Sequence, residues 1–417
     1  MPSKNWQAYI HQYFKRFAKA EPLLKAPVDP KCQMTVIIPC HNEPNLLGTL
    51  ESLANCAPTS SAVEVMVVVN QAVDASESIE QQNQQTIKDF REWNSKQPDD
   101  LLHFHLIEAL DMPKKQAGVG LARKTGMDEA LRRYAGADVD GTIICLDADC
   151  QVSPNYLKAI ETKFGNSNAG LGELYYEHLF ESEANENLKE GIINYELFLR
   201  YYVHGLRQAG FPNAIQTVGS CMLVKASVYA KHGGMNKRKA GEDFYFLHKI
   251  IPHESFKAVN GAAVYPSCRT SDRVPFGTGK AQQDYVDGLH PAYKTYDPII
   301  FQELKALLDQ VPAFFTSAPE TALKQLSKAN RNFIEKHHYL EKIELIKANT
   351  KDLAQFTKQF FVWFDGFICM KHVHFLRDNF YPNLLIGQVA GQLINEKSED
   401  PQALLKMYRV IDRQASI

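Results

Sequence analysis

Residues 144–150 read ICLDADC and close the apolar run Thr142-Ile143-Ile144-Cys145-Leu146. A short apolar run ending in two acids reads as a buried strand that opens at its carboxyl end. In an extended chain, residues i and i+2 point the same way, so Asp147 and Asp149 are expected to converge beyond the sheet edge. A hard divalent cation, Mn2+ or Mg2+, accepts such oxygens and keeps positions open for a diphosphate. Alone, D-x-D is a weak signal: an acidic pair at a strand end also serves as a cap for a following helix.

Working outward, the first half alternates strand and helix patterns. Thr35–Cys40 (TVIIPC) and 63–70 (VEVMVVVN) are continuous apolar runs, read as strands covered on both faces. Leu46, Leu47, Leu50 and Leu53 recur at helical spacing up to Pro58. A helix is predicted around Gln85 to Trp93, a third strand at 103–108 (HFHLIE), and a helix over Val119 to Tyr134 opened by Gly118 and Gly120. GTIICLD is the fourth strand, and QTVGSCMLV (216–224) another. Strands alternating with helices imply a mostly parallel α/β sheet, whose ligands bind beyond the carboxyl ends of the strands. Residues 186–208 read helical, and the chain beyond about 300 reads helical with no strand signal. The expected organisation is an N-terminal helical segment (1–34), a catalytic domain (35–295) and a helical C-terminal region (296–417).

The 417 residues carry 46 Lys and Arg against 48 Asp and Glu, a formal charge of −2. A nucleic-acid binder normally shows a strong basic excess, so no nucleic acid is expected. The eight cysteines have no C-x-x-C pair and read as reduced thiols of a cytoplasmic protein. No stretch of eighteen apolar residues occurs, so no transmembrane segment is expected. Trp6, Ile10, Phe14 and Phe17 beside Lys15, Arg16 and Lys19 allow two readings: packing on the main domain, or peripheral contact with the inner face of a membrane.

Four stretches in order resemble a family 2 glycosyltransferase, with the nucleotide-diphospho-sugar transferase fold of GT-A type. They are TVIIPCHNEPNLLGTLESL (35–53), GVGLARKTGMDEAL (118–131), ICLDADC (144–150) and VGSCMLVKASVYAKHGGMNKRKAGEDFYFLHKI (218–250). The resemblance implies that Pro39, His41, Asn42 and Glu43 contact the base and ribose of a nucleoside-diphosphate sugar. Asn42 also reads as a helix cap, with Glu43 at the helix's positive end. Gly118 and Gly120 would present backbone N–H groups near the diphosphate, with Arg123 pairing a phosphate or the base edge, and Lys114 and Lys115 either assisting or simply solvated. Gly219 and Ser220 would line the donor sugar. The resemblance makes Asp243, beside Glu242, the base of an inverting transfer, and Asp147 and Asp149 the metal ligands. Two acids in a first helical turn also simply favour the helix dipole.

Three departures from the family pattern bear on function. Asn70 stands where an acid often pairs with uracil, which leaves a UDP- or GDP-sugar donor open. No metal-binding histidine follows GAAVYPSCRTSDR, and His290 is the nearest downstream. Q-x-x-R-W, typical of polymer-making relatives, is absent, so a single, non-processive addition is expected. In its place the loop 267–282, with Arg269, Arg273 and Lys280, is either a cationic lid over the diphosphate or an ordinary solvated loop. The acceptor is open, whether a small metabolite, a glycan or a lipid-linked sugar. A retaining transferase, or a non-catalytic nucleotide-sugar-binding protein, would carry the same fold.

Overall fold

The computed structural model describes residues 6–18, 21–98, 100–271, 277–289 and 293–415. In chain order the first half runs α1 (Trp6–Arg16), β1 (Cys32–Cys40), α2 (Leu46–Ala54), β2 (Ala62–Ala72), α3 (Glu77–Asn94), β3 (Leu102–Met112), α4 (Val119–Ala137) and β4 (Thr142–Cys145). Then follow β5 (Gln151–Val152), α5 (Tyr156–Ala159), β6 (Leu171–Tyr176), α6 (Glu186–Gln208), β7 (Met222–Lys225), α7 (Ala226–Lys231), α8 (Glu242–Ile250), β8 (Phe256–Tyr265) and α9 (Thr278–Val286).

The chain divides into two compact units, one holding Met1–Ser182, Thr217–Lys280 and Asp412–Ile417, the other Glu183–Gln216 and Ala281–Ile411. The first contains an eight-stranded sheet in the order β3-β2-β1-β4-β7-β6-β8-β5. β3, β2, β1 and β4 are mutually parallel, and β6 pairs in parallel with β8. β7 runs antiparallel between β4 and β6, and β5 antiparallel to β8. This is the mostly parallel GT-A-type fold the sequence implies.

β1 and β2 are buried almost throughout, as continuous apolar runs require, while edge strand β3 is largely half-exposed. Pro39 is tolerated inside β1 because the β4 ladder ends at Ile37 and leaves no partner for the missing N–H. Trp6, Ile10 and Tyr13 of α1 are buried, and the Tyr13 hydroxyl donates to Asp128 at 2.6 Å.

Three expectations need correction. α3 starts at Glu77, earlier than predicted, because its first turns (ESIEQQNQ) are too polar to show a helical period. β7 spans only Met222–Lys225, since Gly219–Cys221 form a tight 3-10 turn. The acids of ICLDADC lie not on an extended strand but on a turn, closed by the Cys150 N–H donating to the Asp147 carbonyl at 3.1 Å.

The second unit is helical: α6 and then α10 (Pro298–Asp309), α11 (Val311–Thr316), α12 (Pro319–Lys324), α13 (Lys328–Lys336), α14 (Tyr339–Ala348), α15 (Leu353–Trp363), α16 (Gly366–Asn379), α17 (Ile386–Leu393) and most of α18 (Pro401–Gln414). It departs from the expected boundary at residue 296 because α6 packs its apolar face on α10 and α17. It also holds a strand pair not predicted, β9 (Lys294–Thr295) against β10 (Leu384–Leu385), two residues each and too short for a periodic signal. No helix among the described residues is long and apolar enough to cross a membrane. The eight cysteines form no disulfide.

Candidate active site

The parallel strands all end at one sheet edge, and antiparallel β7 begins there. Topology therefore places His41–Glu43, Asn70, Asp147–Asp149 and Gly219–Ser220 on a common edge.

Arg123, in the first turns of α4, is the hub. Its guanidinium donates to Asp147 Oδ1 at 2.6 Å and, through its other terminal nitrogen, to Glu242. Burial works against the charge on Arg123, but Glu242 and then Asp147 outweigh it, and the net shift holds the proton more tightly. The arginine is buried, its bond to Glu242 is buried, and its bond to Asp147 is half-open, so in this structure it organises two carboxylates. Glu242 is likewise buried, so the two adjacent acids differ: Glu242 is an internal ion-pair partner, and Asp243 is half-buried.

Gly241, left-handed at φ 68°, starts α8 and sets both acids in its first turn. Asp243 Oδ1 accepts its neighbour Phe244 N–H at 2.7 Å. Burial, then the negative charge of Glu242, push the Asp243 carboxyl up to about 7 against the pull of Arg123. A β-carbon on Gly219 would lie 3.0 Å from Arg123 Nη2 and 3.1 Å from Asp243 Oδ2, so only glycine lets the turn pass this close. Ser220 beside it is buried.

A second arginine repeats the pattern. Arg269, just past β8, donates to Glu43 with both terminal nitrogens and to Asp149 Oδ2 at 3.0 Å. Glu43, 1% exposed, also accepts the Asn45 N–H at 2.9 Å. It therefore anchors a side chain rather than lying open to a ribose.

The expected base corner is built of amides. His41 Nδ1–H donates to the Asn70 carbonyl at 2.8 Å. Asn42 adopts a left-handed φ of 49° and is not the cap of α2, a place held by Asn45. Its N–H donates at 3.0 Å to Asn83 Oδ1, while Asn83 Nδ2 donates to the Asn70 carbonyl and to Gln71 Oε1. The Asn70 side-chain oxygen is buried with no hydrogen-bond partner among the described residues. Asn83 was missed from sequence; its signal was a polar residue in phase with buried Thr86, Ile87 and Phe90.

The glycines at the start of α4 make room for a neighbouring segment. A β-carbon on Gly120 would meet the Arg238 carbonyl at 2.3 Å, and one on Gly118 the Lys239 Cα at 3.1 Å. They admit the segment leading to α8 against the start of α4. Lys114 pairs with Asp74 at 2.5 Å on the surface, and Lys115 is exposed. Arg273 and His290 lie outside the described residues.

Among the described residues no group of three or more His, Cys, Asp or Glu side chains converges to hold a metal. Asp147 and Asp149 nevertheless offer hard oxygens on side chains 40% and 30% exposed. That donor set fits Mn2+ or Mg2+ shared with a diphosphate and water, not an ion held by the protein alone.

Residues 35–233 match the family described as "Glycosyl transferase family 2". No curated protein matches the sequence. Among solved structures the chain is similar to S. aureus TarS 1-349, at 12% identity over 78% of this chain and 89% of that one, with a TM-score of 0.40. The same protein in complex with UDP-GlcNAc matches at 12% identity over the same shares, with a TM-score of 0.42.

Proposed function

We propose that this chain, a glycosyltransferase whose residues 35–233 form the family 2 domain, moves a sugar from a nucleoside-diphosphate donor to an acceptor hydroxyl with inversion. The observation that carries this reading is Asp243: a half-buried residue whose carboxyl is pushed up to about 7, fixed in the first turn of α8 beside Gly219 and Arg123. A base poised near neutral pH can take the acceptor's proton as its oxygen attacks the anomeric carbon.

Arg123 holds Asp147 and Glu242 in place and keeps α8 registered on α4. His41, Asn42, Asn70 and Asn83 form a neutral corner for the base of a UDP- or GDP-sugar, and the unpaired Asn70 oxygen would accept a ring N–H there. Mn2+ or Mg2+ bound at Asp147 and Asp149 would supply positive charge to the leaving diphosphate. The reaction is a single addition to a glycan, lipid-linked or small-molecule acceptor, carried out in the cytoplasm or at the inner face of the membrane.

The test is Asp243→Asn. Binding of the donor nucleotide should persist while transfer and donor hydrolysis collapse. Proton NMR of the product's anomeric centre separates inversion from retention. Nucleotide binding with neither hydrolysis nor transfer by the unaltered chain would instead mark a binding protein.

A further inference from the structure

The acidic pair carries its own counter-ions. Asp147 is matched by Arg123, anchored on Glu242, and Asp149 by Arg269, anchored on Glu43. The two arrangements differ in access. The Arg123 side chain is 1% exposed, whereas that of Arg269 is 27% exposed and comes from a loop rather than a helix.

The two ends of Arg269 also differ. Both terminal nitrogens serve Glu43, whose buried charge has to stay matched. A single bond of 3.0 Å joins Arg269 to Asp149, whose side chain is 30% exposed and can take water instead. The link to Asp149 is therefore the exchangeable one.

We propose that Arg269 is the resident counter-cation of Asp149 and competes with a divalent cation for that carboxylate. This rests on the reading of Asp147 and Asp149 as cation ligands. The guanidinium sits on Asp149 Oδ2, an oxygen a cation would use, and two cations at one carboxylate repel each other. Cation binding to the nucleotide-free chain is accordingly weak. A diphosphate brings enough negative charge to match both cations, so nucleotide and cation tighten each other's binding.

The experiment is Mn2+ binding to the full-length chain without nucleotide, followed by the electron paramagnetic resonance of free Mn2+. Arg269→Gln should bind Mn2+ about two- to fivefold more tightly than the unaltered chain, the scale of one partly exposed charge pair. Adding Asp149→Asn to that variant should cancel the gain. Because Arg269→Gln strands a buried carboxylate, Glu43→Gln with Arg269→Met removes both charges together and should show the same gain. Suppose these variants bind Mn2+ no better than the unaltered chain, while Mn2+ still binds in the presence of UDP or GDP. The competition is then wrong and the cation site stands. Absence of Mn2+ binding in every variant, with or without nucleotide, sinks the cation site and the competition together.

Discussion

Arg123 and Asp147 are joined by a 2.6 Å ion pair whose guanidinium is sealed from water while its carboxylate remains open. The protein thus fixes one oxygen of a site carboxylate from behind and leaves its front accessible. Removing the arginine strands Glu242 in the interior, where an unpaired charge is costly. Arg123→Ala should lose about 3–5 kcal/mol of stability by chemical denaturation. Arg123→Met with Glu242→Gln should lose clearly less, because no buried charge is left alone. Equal losses in the two variants would show that packing, not charge, sets the cost.

Asp243 links activity to pH. Its folded carboxyl is pushed up from 3.8 to about 7, so the base form appears as pH rises through about 7. Then kcat/KM should climb tenfold per unit below that value and level off above it. Asp243→Asn should lower kcat by about a hundredfold or more and flatten the rise. A profile flat from pH 5 to 9 in the unaltered chain, about that range being where such a base titrates, would remove Asp243 as the base.

The same group makes a prediction for stability, with the sign opposite to that of a salt-bridged acid. Between 3.8 and about 7 the folded state binds more protons here than the unfolded state. The contribution of Asp243 is therefore stabilising at low pH and is lost as pH rises through that window. Asp243→Asn should melt higher than the unaltered chain at pH 8 and nearly level with it at pH 4. Thermal melts at the two pH values check this, and an Asn variant that melts lower at pH 8 contradicts it.

Gly219 tests the geometry without touching a charge. Alanine there places a methyl 3.0 Å from Arg123 and 3.1 Å from Asp243, so the guanidinium and the base must both give way. Because a misplaced reacting group is costly, Gly219→Ala should cut kcat by about tenfold or more while the chain still folds. Circular dichroism and turnover measured on one preparation decide it.

Removal of divalent cations addresses the acidic pair. With EDTA, calorimetric binding of UDP or GDP should weaken, and Mn2+ or Mg2+ should restore it. Asp149→Asn should blunt that response. Nucleotide affinity indifferent to EDTA would rule out a divalent cation at the acidic pair.

Much of the framework is local and was legible. The apolar runs of β1, β2 and β4 and the helical spacing after β1 are contained within a few residues, and the residues after each strand end were readable as site candidates. What was misread is also local in cause. α3 begins with polar turns, β9 and β10 have two residues each, and β7 is shortened by a turn that Gly219 makes for the sake of Arg123 and Asp243.

The sequence by itself determined the alternating architecture and the stock of acids, glycines and arginines at one sheet edge. Periodicity and strand-ending polar residues are properties of neighbours along the chain. Only the tertiary structure decided which charge meets which. Arg123 and Glu242 are 119 residues apart and Arg269 and Glu43 are 226 apart, so no spacing along the chain announces either pair. Burial completes the division: Glu242 is enclosed and Asp243, one residue on, stays partly open, and that difference exists only once α8 is packed against α4.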